Sequence, residues 1–186
     1  MYARRVDRDE LSADAQPAIT AGNGRTFAAF PAAVVVPIVN RRERLLLLES
    51  KRRRGCWEPV NGAVERGETL LAAALREVRE EAGPEVRVRP LGVVHAETFS
   101  YDAHVERMIS VVYVMRYEGG QVAPGDDMRG SHVRWAGLRE IDADSLRLIP
   151  PLDQAWLRRR AIDSCRRWDA DPPAVLQADI QGGRRR

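Results

Sequence analysis

Three glutamates, Glu77, Glu80 and Glu81, lie within five residues of one another in a segment rich in good helix formers. At about 100° per residue, a helix places their carboxylates on one face. Like charges at this spacing repel, and acids in the C-terminal half of a helix oppose its dipole, so local stability does not favour the cluster. Mg²⁺, which proteins commonly hold with a few carboxylates plus water and substrate phosphate, would resolve the conflict.

A second explanation of the same pattern is an ordinary solvated helix face, with Arg76 and Arg79 balancing the acids. The helix itself is predicted to begin near Glu68, to run for about four turns and to end at Gly83 and Pro84. Its buried stripe is predicted from apolar residues spaced at helical intervals, namely Leu71, Ala74, Leu75, Val78 and Ala82.

Strands are predicted on both sides of this helix. Residues 32–39 and 45–49 are short apolar runs joined by a polar turn, which indicates a buried hairpin. Residues 86–99 and 108–117 form a second predicted strand pair, and residues 132–136 one further strand. Near the end of the chain, a helix with one apolar stripe is predicted from the spacing of Leu157, Ala161, Cys165 and Trp168.

The domain organisation follows from the absence of apolar periodicity at both ends. Residues 1–26 and 171–186 are predicted to be tails without stable structure, and residues 27–170 to form one domain. The whole chain has 186 residues, 44% of them apolar, which suffices for one continuous core.

Charge and cysteine content exclude several classes of protein. A net charge of +3 is too mild to indicate specific nucleic-acid binding. No apolar run approaches the roughly 20 residues of a membrane-spanning helix, and the first residues lack the apolar stretch of a secretory signal. Cys56 and Cys165 show no metal-ligand spacing, so neither a disulfide framework nor a zinc site is predicted. We expect a cytoplasmic protein without a membrane partner, and we leave a homodimer open.

The glutamate cluster belongs to a longer pattern across residues 62–84. The pattern resembles the complete Nudix box of the Nudix hydrolase family, and its matching positions are Gly62, Glu68, Arg76, Glu77, Val78, Glu80, Glu81 and Gly83. Two positions depart from the family: Pro84 replaces an aliphatic residue, which affects the helix exit, and Asn61 stands where many members have glycine.

The resemblance implies an α/β fold, an α/β/α sandwich with a mixed sheet, in which the box forms a loop, a helix and a second loop. It also implies hydrolysis of a nucleoside diphosphate linked to another moiety, with Mg²⁺ or Mn²⁺. The chemistry agrees, because the negative charge of a diphosphate repels an attacking water and divalent ions neutralise that charge. The chain has no glycine-rich phosphate-binding loop of the P-loop type and no GxSxG nucleophile motif.

The resemblance also assigns residues to the metal. Glu77 and Glu81 are the first predicted ligands, Glu80 the next, and the backbone carbonyl of Asn61 a further one. Arg76 is expected to pair with Glu68 or a neighbouring acid and so to fix the loop on the helix.

The general base stays open between the helix, through Glu77 or Glu80, and the loop that contains Asp126 and Asp127. Asp127 is the predicted catalytic residue of that loop, although the same residues fit an ordinary polar loop. Glu106 is a weaker candidate.

Substrate contacts are predicted for Arg52 and Arg54, because guanidinium groups match phosphate oxygens, and for Tyr101, where dinucleoside polyphosphate hydrolases of the family have tyrosine. The predicted substrate is therefore a small nucleotide, with a preference for a dinucleoside polyphosphate. The alternatives are a nucleoside triphosphate or ADP-sugar pyrophosphatase and, in another class, a non-catalytic nucleotide-binding module of the same fold.

Overall fold

The computed structural model describes residues 17–143 and 146–170. The helices are α1 (Leu70–Glu77), α2 (Leu138–Ala143) and α3 (Ala155–Ala170), with a π-helical turn at Val78–Ala82 and a 3-10 turn at Asp126–Met128. The strands are β1 (Ala18–Thr20), β2 (Thr26–Ala28), β3 (Ala32–Val36), β4 (Ile38–Val39), β5 (Leu45–Glu49), β6 (Cys56–Glu58), β7 (Val60–Ala63), β8 (Arg87–Phe99), β9 (Met108–Gly119), β10 (Val133–Ala136) and β11 (Arg147–Leu148).

Nine of the strands form one mixed sheet around β9. β3 and β4 run parallel to β9, and β8 runs antiparallel to it. β7 pairs antiparallel with β3, so that Gly62 lies opposite Val34. The two predicted strand pairs are confirmed, because β4 pairs with β5 antiparallel and β8 with β9. This topology puts β7, with Asn61 and Gly62, at one end of the sheet order, beneath the first helix.

Helices cover both faces of the sheet, which confirms the predicted α/β/α sandwich. Alternate residues of the strands belong to two separate cores, as Leu46 and Leu48 pack with α1 while Leu45 and Leu47 pack with α2 and α3. Strands buried on both faces are expected to be nearly continuous in apolar residues, as 45–48 are.

The helix of the box begins at a side-chain cap and ends in a wider, π-helical turn. The hydroxyl of Thr69 accepts a 3.1 Å hydrogen bond from the backbone N–H of Ala72. The predicted four-turn helix is an α-helix followed by a π-helical turn, a feature often found at functional sites. Gly83 ends it with a φ of 120°. Of the predicted stripe, Ala74, Val78 and Ala82 are buried, whereas Leu71 and Leu75 are half-buried.

The N-terminal segment differs from the prediction in part. Residues 18–28 form the β1–β2 hairpin, whose strand residues are all exposed. The missed signal is Asn23-Gly24 between Ile19-Thr20 and Thr26-Phe27, a strong short-range hairpin pattern, with Gly24 at a φ of 81°. Residues 1–16 and the predicted tail 171–186 lie outside the described residues.

The C-terminal helix is confirmed as α3. Leu157, Ala161 and Cys165 are buried in the core, and Trp168 is half-buried. Cys56 and Cys165 are both free thiols. Among the described residues, no helix combines the length and the apolar character needed to cross a membrane.

Candidate active site

Glu81 is a buried carboxylate held by the backbone of β7. Its Oε2 accepts a 2.8 Å hydrogen bond from the N–H of Asn61, and the residue is only 5% exposed to solvent. No cation of the described residues pairs with it. Burial raises the pKa of Glu81 to about 9, and the Asn61 N–H opposes that shift only in part. Without an added positive charge, this site favours the protonated acid.

Glu77 lies one turn earlier and faces the neighbouring residue of the same strand. A Cβ built on Gly62 would lie 2.0 Å from Oε1 of Glu77, so the carboxylate occupies the space that the missing side chain leaves. Burial raises the pKa of Glu77 as well, while Arg76, whose Nη1 donates a 2.7 Å hydrogen bond to Oε1, lowers it. Glycine at position 62 is therefore required for this close approach.

Arg76 ties the helix to the loop that precedes it. Its Nε and Nη2 donate to the two oxygens of Glu68 at 2.9 and 3.1 Å, and Nη2 also donates to the carbonyl of Ala63 at 2.8 Å. Nη1 donates to Glu77 and, at 2.8 Å, to Glu80. The expected pairing of Arg76 with Glu68 is present, and these contacts raise the pKa of Arg76 above its ordinary value.

The segment before β10 brings another acid towards the helix. The N–H of Ala123 donates a 2.8 Å hydrogen bond to the carbonyl of Ala82. The 3-10 turn that follows carries Asp127, whose negative charge contributes to the raised pKa values of Glu77 and Glu81. Asp127 accepts a 3.4 Å hydrogen bond from Arg52 and is itself half-exposed.

The donors at this site suit a hard divalent cation. Glu77 and Glu81 are buried acids side by side, and Glu81 is an uncompensated buried carboxylate, which is costly unless a cation is bound. Within the described chain, no three His, Cys, Asp or Glu side chains already form a metal cage. One reason is that Arg76 Nη1 holds both Glu77 and Glu80. Asn61 presents its N–H, not its carbonyl, to Glu81.

The predicted substrate residues lie at two other places. Arg54 lines a cleft between the β5–β6 loop and the segment before β10. Tyr101 is 57% exposed in the loop between β8 and β9, where its N–H donates to the carbonyl of Val105. Glu106 is exposed in that same loop. No contact within the described residues joins Tyr101 or Glu106 to the carboxylates of the helix.

Sequence reasoning missed Glu58 as part of the site. The Asn61 side-chain amide donates a 3.4 Å hydrogen bond to Oε2 of Glu58, and the charge of Glu58 contributes to the raised pKa of Glu81. Its position three residues before Asn61, on the strand leading into β7, is a signal that could have placed it nearby.

Comparisons with known proteins agree with this geometry. The chain matches the NUDIX domain model over residues 29–160. It is 34% identical over 102 residues to an ADP-ribose pyrophosphatase of Methanocaldococcus jannaschii, an alignment that covers 53% of this chain and 59% of that protein. It is 29% identical over 175 residues to the putative mutator protein MutT4 of Mycobacterium tuberculosis, with 81% of this chain and 65% of that protein covered. The chain thus spans less than two thirds of the length of either relative.

A solved structure shows the same fold. The crystal structure of a NUDIX-family hydrolase from Clostridium perfringens superposes with a TM-score of 0.58 and 18% identity, covering 71% of this chain and 95% of that one. The family model spans more than half of the chain, and the chain carries all four box carboxylates, Glu68, Glu77, Glu80 and Glu81. The chain therefore belongs to the NUDIX family.

Proposed function

We propose that the chain is a hydrolase that cleaves a phosphoanhydride bond in a nucleoside diphosphate linked to another moiety, with Mg²⁺ or Mn²⁺. The observation that carries this proposal is Glu81, a carboxylate buried against Asn61 without a cation from the described residues, beside Glu77, which is also buried. A merely structural acid would be expected to have its charge paired.

Each residue of the site has a distinct task in this proposal. Glu77 and Glu81 hold the divalent ion, with Glu80 as a third ligand. When bound, such an ion neutralises charge on the diphosphate and lowers the pKa of the attacking water. Arg76 holds Glu68, Glu77 and Glu80 in place and is a positioning residue.

Two residues compete for the role of general base. Glu80 is partly exposed and bonded to Arg76, whereas Asp127 is half-exposed on a separate turn and bonded to Arg52. A general base accepts the proton of the attacking water, so its loss lowers kcat and changes the pH profile. Glu80→Gln and Asp127→Asn should therefore differ, and the variant that loses the acidic limb of the profile identifies the base.

Several classes of nucleotide are candidate substrates. The M. jannaschii relative, an ADP-ribose pyrophosphatase, supports a diphosphate bridge as the reacting group. Our preference for a dinucleoside polyphosphate rests on Tyr101. A nucleoside triphosphate or an ADP-sugar is the alternative, as the motif is common to all of them.

The test is hydrolysis of a panel of these nucleotides, followed by chromatography of the product nucleotides and measured with Mg²⁺, with Mn²⁺ and with a chelator. Glu81→Gln keeps the shape of the side chain but deletes its charge, and we expect a loss of about 10³ in kcat, equivalent to about 4 kcal/mol. Glu85→Gln, at an exposed acid just beyond the helix, is the control. Nucleotide binding without metal-dependent hydrolysis would support a non-catalytic module instead.

A further inference from the structure

Apart from the carboxylate site, the described residues form a cleft of about 310 Å³. Its walls come from two segments far apart in sequence, the end of β5 with its following loop and the residues just before β10. That volume lies in the range of small-molecule sites. The lining residues are Glu49, Ser50, Lys51, Arg54, Gly130, Ser131 and His132.

The cleft carries an excess of positive charge. Lys51 and Arg54 both line it, and neither side chain has a hydrogen-bond or ion-pair partner among the described residues. The Nζ of Lys51 lies 3.8 Å from where a Cβ on Gly130 would be, so this cation points across the cleft towards the opposite wall. Glu49 is the one acid among the lining residues, and its Oε2 lies 3.9 Å from Nε2 of His132. Two cations are thus available for an anion.

A buried hydroxyl adds a second, independent feature. Ser131 is 8% exposed, and its Oγ has no hydrogen-bond partner among the residues that the structure describes, whereas its backbone N–H donates to the carbonyl of Met128. Buried polar groups are nearly always hydrogen-bonded in native proteins. A hydroxyl that lacks such a partner, in the wall of a cleft that two cations also line, suits an oxygen-rich anion such as phosphate.

One hydrogen bond connects the loop that lines the cleft with the turn near the carboxylates. Arg52 follows Lys51 in sequence and donates to Asp127 at 3.4 Å, and the charge of Asp127 acts on Glu77 and Glu81. The Arg52–Asp127 pair therefore links the loop that lines the cationic cleft to the neighbourhood of the acidic site. A substrate that reaches both must extend beyond the anhydride being cleaved.

We propose that this cleft binds a phosphate group of the substrate that lies outside the cleaved anhydride, so that the chain prefers substrates with three or more phosphates to those with a single diphosphate bridge. The inference rests on the proposed hydrolase function and specifies its substrate class. Lys51 and Arg54 contact that phosphate, and Arg52 holds the neighbouring turn through Asp127.

The first experiment compares kcat/KM for a nucleoside triphosphate with kcat/KM for ADP-ribose. The double variant Lys51→Ala/Arg54→Ala should lower the ratio of the two values about 10- to 100-fold, as expected for lost hydrogen bonds to charged groups. Arg159→Ala/Arg160→Ala removes the same charge from the exposed side of α3 and should leave the ratio unchanged. An unchanged ratio in the Lys51/Arg54 variant overturns the proposal.

The second experiment needs no turnover. Calorimetry with inorganic tripolyphosphate, in a chelator, measures anion binding by the full chain, and Lys51→Gln/Arg54→Gln should weaken it about 10-fold or more. If the wild type hydrolyses no nucleotide but shows this dependence, the proposed function fails and the anion cleft stands. Equal affinities in wild type and variant overturn the cleft whether or not hydrolysis is observed.

Discussion

The carboxylate of Glu77 occupies the space where a side chain at Gly62 would begin. A Cβ at Gly62 would lie 2.0 Å from Oε1 and 2.6 Å from Oε2 of Glu77, closer than any van der Waals contact allows. The two residues come from different elements, β7 and the end of α1, so this contact sets how closely the helix approaches the strand. The glycine that begins the box thus acts directly on a proposed metal ligand.

Gly62→Ala should displace Glu77 and weaken both metal binding and turnover. A displacement of about 1 Å at a reacting site can cost about 10²-fold in rate, and we expect a loss of this order in kcat. Mn²⁺ titration and steady-state kinetics measure the two effects. Gly22→Ala is the control, because no atom lies within 4 Å of its Cβ position. Wild-type metal affinity in Gly62→Ala would contradict the assignment of Glu77.

Arg76→Lys should destabilise the fold although it keeps the charge. The guanidinium group reaches Glu68, Glu77, Glu80 and the carbonyl of Ala63 together, and a single ammonium group does not reproduce this fork. We expect a loss of about 1 to 3 kcal/mol in the free energy of unfolding. Denaturant unfolding measures it. Arg79→Lys, on the exposed face of the same turn, should behave as wild type.

The metal-free protein should lose stability as the pH rises. Glu81 has a pKa of about 9 in the folded state against an ordinary 4.5, so between these values the folded chain binds more protons than the unfolded chain. The free energy of unfolding therefore falls with increasing pH, by about 1.4 kcal/mol for each pH unit between the pKa of the unfolded chain and that of the folded chain. Burial raises the pKa of Glu77 in the same direction.

Unfolding in a chelator at about pH 5, 7 and 9 measures this slope. Glu81→Gln should flatten it, Glu85→Gln should not, and saturating Mg²⁺ should reduce it because the ion favours the charged carboxylates. A slope that is identical in wild type and Glu81→Gln would show that Glu81 is not the titrating group.

The sequence predicted those features that depend on short-range periodicity. Short continuous apolar runs marked β3 to β5, because these strands are buried on both faces, and apolar spacing of about 3.6 residues marked α1 and α3. The π-helical turn at Val78–Ala82 was not predictable in this way, since apolar spacing does not distinguish one extra residue in a turn. The β1–β2 hairpin was not predicted because none of its strand residues is buried and it therefore has no buried apolar stripe.

The candidate site shows the same division. The pairing of Arg76 with Glu68 was anticipated from one short motif. The action of the Glu58 charge on Glu81, and the position of Lys51 across from Gly130, depend on which segments the sheet brings together over long sequence separations. No local pattern reports such proximity, so these residues became visible only in the folded chain.

The role of Tyr101 is tested by its removal. The ring is 57% exposed, and its loop is held by Asp102, whose Oδ1 accepts 2.8 Å hydrogen bonds from the N–H groups of His104 and Val105. If the ring stacks on a nucleobase, for about 1 to 3 kcal/mol, Tyr101→Ala should raise KM about 5- to 150-fold with little change in kcat. Tyr101→Phe, the matched control, keeps the stack and should be nearly silent. Equal kinetics for Tyr101→Ala and wild type on dinucleoside tetraphosphate, ADP-ribose and nucleoside triphosphates would contradict the preference for a dinucleoside substrate.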